Sequence, residues 1–121
     1  MRYSPQREVI SEILRSCCDH PTADVIFHRA REKIPNISLA TVYRNLSELS
    51  KARMVDTLET TDGFIHYDGN TTPHRHFICS DCNRIVDLFI ECPIPDELEA
   101  MGLHVETGKF LYYGKCDSCN N

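Results

Sequence analysis

Apolar residues in the first half of the chain recur with the period of an amphipathic helix, and they predict three helices. Ser4 and Pro5 form a helix start, Thr22 caps a second helix, and Ser38 caps a third that covers about 39–53. The side chains predicted to face the core are Val9, Ile10, Ile13, Leu14 and Cys17, then Val25, Ile26 and Ala30, then Leu39, Val42, Leu46 and Leu49. The first half therefore reads as a three-helix module.

A hairpin is predicted directly after the third helix. Residues 54–59 and 64–68 form two short strand-like runs, and Asp62 and Gly63 lie between them. Three helices followed by a hairpin is the element order of a winged helix-turn-helix module. In that arrangement the third helix would lie in the major groove of DNA.

The polar face of this third helix is the predicted DNA-contacting surface. Tyr43 and Arg44 are expected to touch bases or the sugar-phosphate backbone, and Lys51 and Arg53 are expected to touch phosphates. Surface packing is the alternative role for Tyr43. The predicted DNA-contacting residues are Thr41, Tyr43, Arg44, Asn45 and Lys51.

The second half of the chain has a different pattern of apolar and polar positions, which predicts short strands and one short helix. The predicted strands cover 77–79, 84–90 and 103–114, and the predicted helix covers 95–102. A cluster of turn-forming residues near 67–73 suggests a linker. We therefore expect an α+β chain with a winged-helix domain at 1–69 and a small α/β domain at 70–121.

The charge balance agrees with two modules that have different partners. The net charge is −5, which on its face argues against binding nucleic acid. Residues 1–55 carry nine basic and six acidic side chains, a net +3, whereas 56–121 carry a net −8. Chance asymmetry of surface charge is the alternative explanation. No apolar run is long enough to span a membrane, so a cytoplasmic protein is expected.

Two Cys-x-x-Cys pairs are the strongest chemical signal. Cys79, Cys82, Cys116 and Cys119 offer four thiolates, a set that satisfies tetrahedral zinc and leaves no open position. A redox dithiol and unpaired buried thiols remain as alternatives, although acidic surroundings disfavour a reactive thiol. The chain has seven cysteines, and no role is predicted for Cys17, Cys18 and Cys92.

A second candidate metal site contains histidines and carboxylates. His74 and His76 are two positions apart, so on an extended segment both imidazoles lie on one side. Asp68 and Asp87 are near in sequence, and His20 lies far upstream. Three imidazoles and two carboxylates suit Fe²⁺ or Mn²⁺, while solvated surface side chains are the alternative.

These motifs resemble a known family. The chain is similar to the ferric uptake regulator (Fur) family of bacterial metalloregulators at 4–7 (SPQR), 20–24 (HPTAD), 38–46 (SLATVYRNL), 74–82 (HRHFICSDC) and 113–119 (YGKCDSC). The resemblance covers nearly the whole chain. It implies a winged-helix domain joined to an α/β dimerisation domain, in a protein that is no enzyme. It further implies repression of transcription by metal-loaded homodimers on double-stranded operator DNA.

The resemblance also implies roles for the candidate ligands. The four cysteines of the two pairs match the structural zinc site. The regulatory Fe²⁺ or Mn²⁺ ligands, at the joint between the domains, would be His20, Asp68, His74, His76 and Asp87.

The two aspartates among those ligands resemble the peroxide-sensing PerR branch. In that branch Fe²⁺ at the regulatory site reacts with H₂O₂, ligand histidines are oxidised, and DNA is released. Here the oxidisable residues would be His20 and His74. A repressor of the same family that responds to iron, zinc, manganese or nickel remains an alternative, and a zinc-stabilised thiol redox protein is the alternative of another class.

Two departures from the family pattern stand out. Asn83 replaces the usual glycine after the first cysteine pair, and Asn also adopts left-handed conformations. Gly108 and Arg75 replace residues needed for an additional metal site of some members, so that third site is not expected.

Overall fold

The chain separates into two compact units. A computed structural model describes residues 4–17, 19–71, 74–89, 94–106 and 110–120. Unit 1 covers 1–71 and unit 2 covers 72–121. Within the described ranges, no helix is long and apolar enough to cross a membrane.

Unit 1 contains the three predicted helices. They are α1 (Pro5–Ser16), α2 (Ala23–Arg31) and α3 (Leu39–Lys51). The Ser4 hydroxyl caps α1 and the Ser38 hydroxyl caps α3, each by accepting a backbone N–H in the first turn. Thr22 precedes α2 without a side-chain cap. The three predicted helix starts are confirmed, and so are the side-chain caps of α1 and α3, but the predicted cap by the Thr22 side chain is absent.

The core of unit 1 is built by the predicted apolar stripes. Ile10, Leu14 and Ile26 of the first two helices are buried, and so are Val42, Leu46 and Leu49 of α3. At about 25 cal/mol per Å² of apolar surface, such fully buried side chains each contribute about 1.5–3 kcal/mol.

Three positions predicted to face this core lie elsewhere. Val25 is 39% exposed because Ile26 and Ala30 occupy the buried face of α2. Leu39 is 36% exposed because it is the first residue of α3, and the buried residues of this helix begin at Val42. Cys17 is half-buried beyond the last turn, where it is the extended C-cap of α1.

The predicted hairpin is confirmed. Strands β1 (Asp56–Glu59) and β2 (Ile65–Asp68) pair antiparallel. Gly63 has a φ of +84° in the connecting turn, a conformation that glycine adopts without strain. The Thr60 N–H donates to the carbonyl of Phe64 at 3.3 Å and closes the turn.

The described residues of unit 2 form a three-stranded sheet and one short helix. The strands are β3 (Arg75–Cys79), β4 (Ile85–Leu88) and β5 (Leu111–Gly114), and α4 covers Asp96–Ala100. The order is β4-β3-β5, with β3 antiparallel to β4 and parallel to β5. The combination of a helical module with two small sheets confirms the α+β class.

The last predicted strand is shorter than expected. Among the described residues of the predicted range 103–114, Leu111–Gly114 is strand and 103–106 is irregular. The intervening 107–109, which include Gly108, lie outside the described residues. The pairing partner explains the difference, because β3 is only five residues long and contacts β5 over four.

Candidate metal centres

The parallel pairing of β3 and β5 brings the two Cys-x-x-Cys pairs together. Cys79 ends β3 opposite Gly114, which ends β5, and the Ser80 N–H donates to the Gly114 carbonyl at 2.7 Å. Parallel neighbours finish at the same edge of a sheet. The turns that follow the two strands are therefore neighbours.

The four sulfurs form one compact group. The Sγ atoms of the four cysteines all lie within 4.8 Å of one another. The Sγ atoms of Cys82 and Cys116 are 3.8 Å apart. Four sulfurs at Zn–S distances of about 2.3 Å stand about 3.8 Å apart in a tetrahedron. The donor set and its spacing therefore fit zinc.

Hydrogen bonds within the cluster shift the pKa values of these thiols in opposite directions. Backbone N–H groups of Cys82 and Cys116 hold the pKa of Cys79 at about 6. Hydrogen bonds from Cys119 to Cys116 and Cys79 raise the pKa of Cys119 to about 12. Metal ligation requires deprotonated thiols, so a divalent cation bound here would favour four thiolates.

The turns around the sulfurs are held by backbone geometry and by two ion pairs. Asn83 has a φ of +62°, as the replacement of glycine by asparagine predicts. Lys115 pairs with Asp81 at 3.6 Å, and Arg84 pairs with Asp117 at 2.8 Å. Each pair joins one turn to the other, although exposed pairs contribute only about 0–1 kcal/mol.

Unit 1 holds one histidine–carboxylate pair. His20 Nε2 lies 3.5 Å from Asp68 Oδ2, and the two residues are 6% exposed. The other carboxylate oxygen of Asp68 accepts the Asn70 N–H at 2.9 Å. One oxygen is therefore fixed by the backbone while the other faces the imidazole.

Unit 2 holds two histidines beside one carboxylate. Asp87 Oδ1 lies 3.2 Å from His76 Nε2 and 3.6 Å from His74 Nε2. His76 and Asp87 are register partners in β3 and β4, and the ring centroids of His74 and His76 are 4.3 Å apart. The predicted placement of both imidazoles on one side is confirmed.

The spacing of donors in each unit is compatible with metal ligation. Two ligand atoms about 2.1 Å from one ion stand about 3.0–3.4 Å apart in octahedral or tetrahedral coordination. The measured separations of 3.2–3.6 Å lie close to that range. Imidazole nitrogens combined with carboxylate oxygens suit Fe²⁺ and Mn²⁺.

One histidine that contacts a candidate metal ligand was not predicted. His66 in β2 places its Nδ1 at 2.6 Å from the carbonyl oxygen of His20. Its position two residues before Asp68, on the same face of a strand, was the available sequence signal.

The exposed face of α3 matches the predicted DNA-contacting set except at one residue. Tyr43, Arg44 and Lys51 are exposed and Thr41 is half-buried. Asn45 was predicted on this face but is 3% exposed, and its amide donates to the Thr41 carbonyl at 2.9 Å. The predicted exposure of Asn45 is wrong, because the residue lies on the buried Val42–Leu49 side of the helix.

Of the three cysteines without a predicted role, Cys17 lies among the described residues. The Cys17 thiol donates weakly to the Leu14 carbonyl at 3.7 Å. Burial raises its pKa, which is opposite to the shift expected of a reactive thiol. Cys18 and Cys92 lie outside the described residues.

Comparison with known proteins decides the family. Residues 1–106 match the model of the Ferric uptake regulator family. The chain belongs to the ferric uptake regulator family. Among the curated members, the Peroxide operon regulator of Bacillus subtilis (strain 168) is 38% identical over 125 aligned positions, covering 99% of this chain and 85% of that protein. The Peroxide-responsive repressor PerR of Staphylococcus epidermidis is 38% identical, covering 98% of this chain and 81% of its own length.

Solved structures of the ferric uptake regulator family have the same fold. The Campylobacter jejuni peroxide stress regulator gives a TM-score of 0.79 at 26% identity, over 95% of this chain and 89% of that one. The Helicobacter pylori ferric uptake regulator Fur, described as having three functional metal binding sites, gives 0.77 at 24% identity, over 100% and 83%.

Proposed function

We propose that this ferric uptake regulator family member is a metal-dependent homodimeric repressor that binds operator DNA and senses peroxide. The observation that carries the proposal is the buried His20–Asp68 pair in unit 1, together with the Asp87 carboxylate beside two histidines in unit 2. A sequence identity of 38% to two peroxide regulators over nearly the whole chain supports it.

Zinc would have a structural role. Cys79, Cys82, Cys116 and Cys119 would hold it with no open coordination position, so the zinc would stabilise unit 2 without taking part in sensing.

A regulatory Fe²⁺ or Mn²⁺ would take ligands from both units. His20 and Asp68 would come from unit 1, and His74, His76 and Asp87 would come from unit 2. The ion would bind more tightly to an arrangement of the units that offers all five ligands than to one that offers fewer. Binding of the ion would therefore favour that arrangement. That arrangement would set the spacing of the two α3 helices in a dimer, and so the fit to a palindromic operator.

Peroxide sensing follows from the position of the imidazoles. Bound Fe²⁺ would supply electrons to H₂O₂. In the overall reaction one oxygen atom of H₂O₂ would be added to the ring of His20 or His74, and the other would leave as water. An oxidised ring is a poorer ligand, so the preference for the DNA-binding arrangement is lost.

The exposed surfaces support both macromolecular partners. Tyr43, Arg44 and Lys51 are exposed on α3, where a major groove would be contacted. Unit 2 leaves large apolar side chains in solvent, as a dimerisation surface would before it is covered. They are Phe89, Ile94, Met101, Leu103, Phe110, Tyr112 and Tyr113.

Operator binding with two metals tests the proposal. An operator would be selected from a random DNA library with the zinc- and manganese-loaded protein, and binding followed by fluorescence anisotropy. Fe²⁺ and Mn²⁺ should both support binding, and H₂O₂ should abolish it only with Fe²⁺. Binding that depends on Fe²⁺ but survives H₂O₂ would contradict peroxide sensing and favour an iron-responsive repressor.

A further inference from the structure

The backbone of His20 has a conformation that its own sequence opposes. Its φ is +50°, in the left-handed region that side chains with a Cβ rarely adopt. The next residue is Pro21, and a residue before proline favours an extended backbone. Interactions with the rest of unit 1 must therefore hold His20 in place.

Strand β2 supplies those interactions. The Tyr67 N–H donates to the Pro21 carbonyl at 3.0 Å, and Thr22 forms an isolated antiparallel bridge with His66. The His66 side chain adds the contact to His20 itself, with Nδ1 at 2.6 Å from the carbonyl oxygen. A carbonyl oxygen only accepts, so Nδ1 of His66 carries the proton.

The same strand therefore fixes His20 at two points. His66 and Asp68 are two residues apart in β2 and share a face of the strand. His66 bonds the backbone of His20, while the Asp68 carboxylate lies 3.5 Å from its imidazole. Nε2 of His66 is buried and has no hydrogen-bond partner among the described residues, so the contact through Nδ1 is the ring's one recorded hydrogen bond.

We propose that His66 is a positioning residue that holds the His20 imidazole where a regulatory metal ion can bind it. The inference rests on the proposed function, because it takes His20 and Asp68 as ligands. His66 does not touch the ion. Its hydrogen bond keeps His20 in the left-handed conformation before the ion arrives, so that less ordering is needed on binding.

Three substitutions separate the hydrogen bond from the rest of the side chain. His66→Leu keeps a similar volume and removes the donor. His66→Asn carries its amide nitrogen on Cγ, where histidine carries Nδ1, and can donate from the same place. His66→Gln keeps an amide on a longer chain and shows whether polarity alone is sufficient.

The measurement is Mn²⁺ affinity of the full-length, zinc-loaded protein, followed by electron paramagnetic resonance of free Mn²⁺. His66→Leu and His66→Gln should weaken binding about 10–100-fold, the usual effect of losing an outer partner of a ligand. His66→Asn should stay within about threefold of wild type. Zinc content should not change in any of them.

A second readout needs no manganese. Hydrogen exchange of the Tyr67 amide, which donates to Pro21, should be faster in His66→Leu and restored in His66→Asn. This readout also applies if His66→Leu lowers the stability of unit 1, because exchange at the Leu46 amide in α3 reports global opening.

The outcomes distinguish this inference from the proposed function. Wild-type Mn²⁺ affinity in His66→Leu, or equal losses in His66→Leu and His66→Asn, would overturn the positioning role. If His20→Ala binds Mn²⁺ as wild type does, the proposed ligand set is wrong. In that case accelerated Tyr67 exchange would still show that His66 holds the segment, and unchanged exchange would refute that too.

Discussion

The imidazole of His20 faces the carboxylate of Asp68 across 3.5 Å inside unit 1, and neither side chain is open to solvent. One residue comes from the segment between α1 and α2, and the other ends the second strand of the hairpin. A buried carboxylate beside a histidine is costly unless it is paired or binds a cation. Under the proposed function, this pair is the part of unit 1 that would hold the regulatory ion.

His20→Ala should separate folding from regulation. The variant should keep its zinc and its helical content, because His20 contributes nothing to the cysteine cluster. It should lose Mn²⁺-dependent operator binding by at least about tenfold, since an ion that loses a ligand loses affinity. The exposed His28→Ala is the matched control and should bind as wild type. Normal operator binding by His20→Ala would refute the regulatory role.

Cys116→Ser should remove the structural metal. Cys116 is buried, and its sulfur lies 3.8 Å from that of Cys82. The variant should purify without stoichiometric zinc, and the free energy of unfolding of unit 2 should fall by several kcal/mol, ~3 or more. Metal analysis and thermal unfolding check this. Cys17→Ser, at the C-cap of α1, should keep its zinc; zinc retention in Cys116→Ser would exclude the four-cysteine site.

Arg44 and Asn45 are neighbours in sequence and should behave in opposite ways. Arg44→Ala should weaken operator binding by about 1–3 kcal/mol and leave the thermal midpoint unchanged. Asn45→Ala should destabilise the fold by about 1–2 kcal/mol, because it removes a buried hydrogen bond and leaves a small cavity. Equilibrium unfolding and anisotropy measure the two effects. Arg31→Ala is the charge-matched control, and an Arg44→Ala variant that binds like it would remove Arg44 from the interface.

Asn83 should tolerate glycine better than a β-branched residue. Its φ of +62° lies in the left-handed region, so Asn83→Gly should change stability by less than about 0.5 kcal/mol. Asn83→Val should cost about 1–2 kcal/mol and weaken zinc retention against a chelator. Equal chelator resistance in both variants would show that this turn does not limit the zinc site.

Local sequence signals predicted most elements of the fold. Ser4 and Ser38 placed the starts of α1 and α3, and Asp62-Gly63 placed the hairpin turn, because each acts on its own backbone. The repeated Cys-x-x-Cys spacing predicted a cluster without any knowledge of strand pairing.

The relationships that the sequence did not predict are those made at long range. The parallel pairing of β3 with β5 joins segments far apart in the chain, and the residue pattern of a strand does not show which strand it pairs with. The acceptor of the His66 hydrogen bond is a backbone carbonyl, and every residue has one, so the residue types do not predict this contact. Asn45 is a different case, since its spacing from Val42 and Leu49 already indicates the buried side of α3, whereas its polar side chain favours the exposed side.

Oxygen transfer to the ligand histidines is the most direct test of the central claim. The Fe²⁺-loaded protein would be treated with H₂O₂, and mass spectrometry of its peptides and operator binding would be followed in the same samples. We predict that peptides containing His20 or His74 gain one oxygen atom in step with the loss of operator binding, and that neither change occurs with Mn²⁺. Loss of binding without oxygen on either histidine would contradict the account.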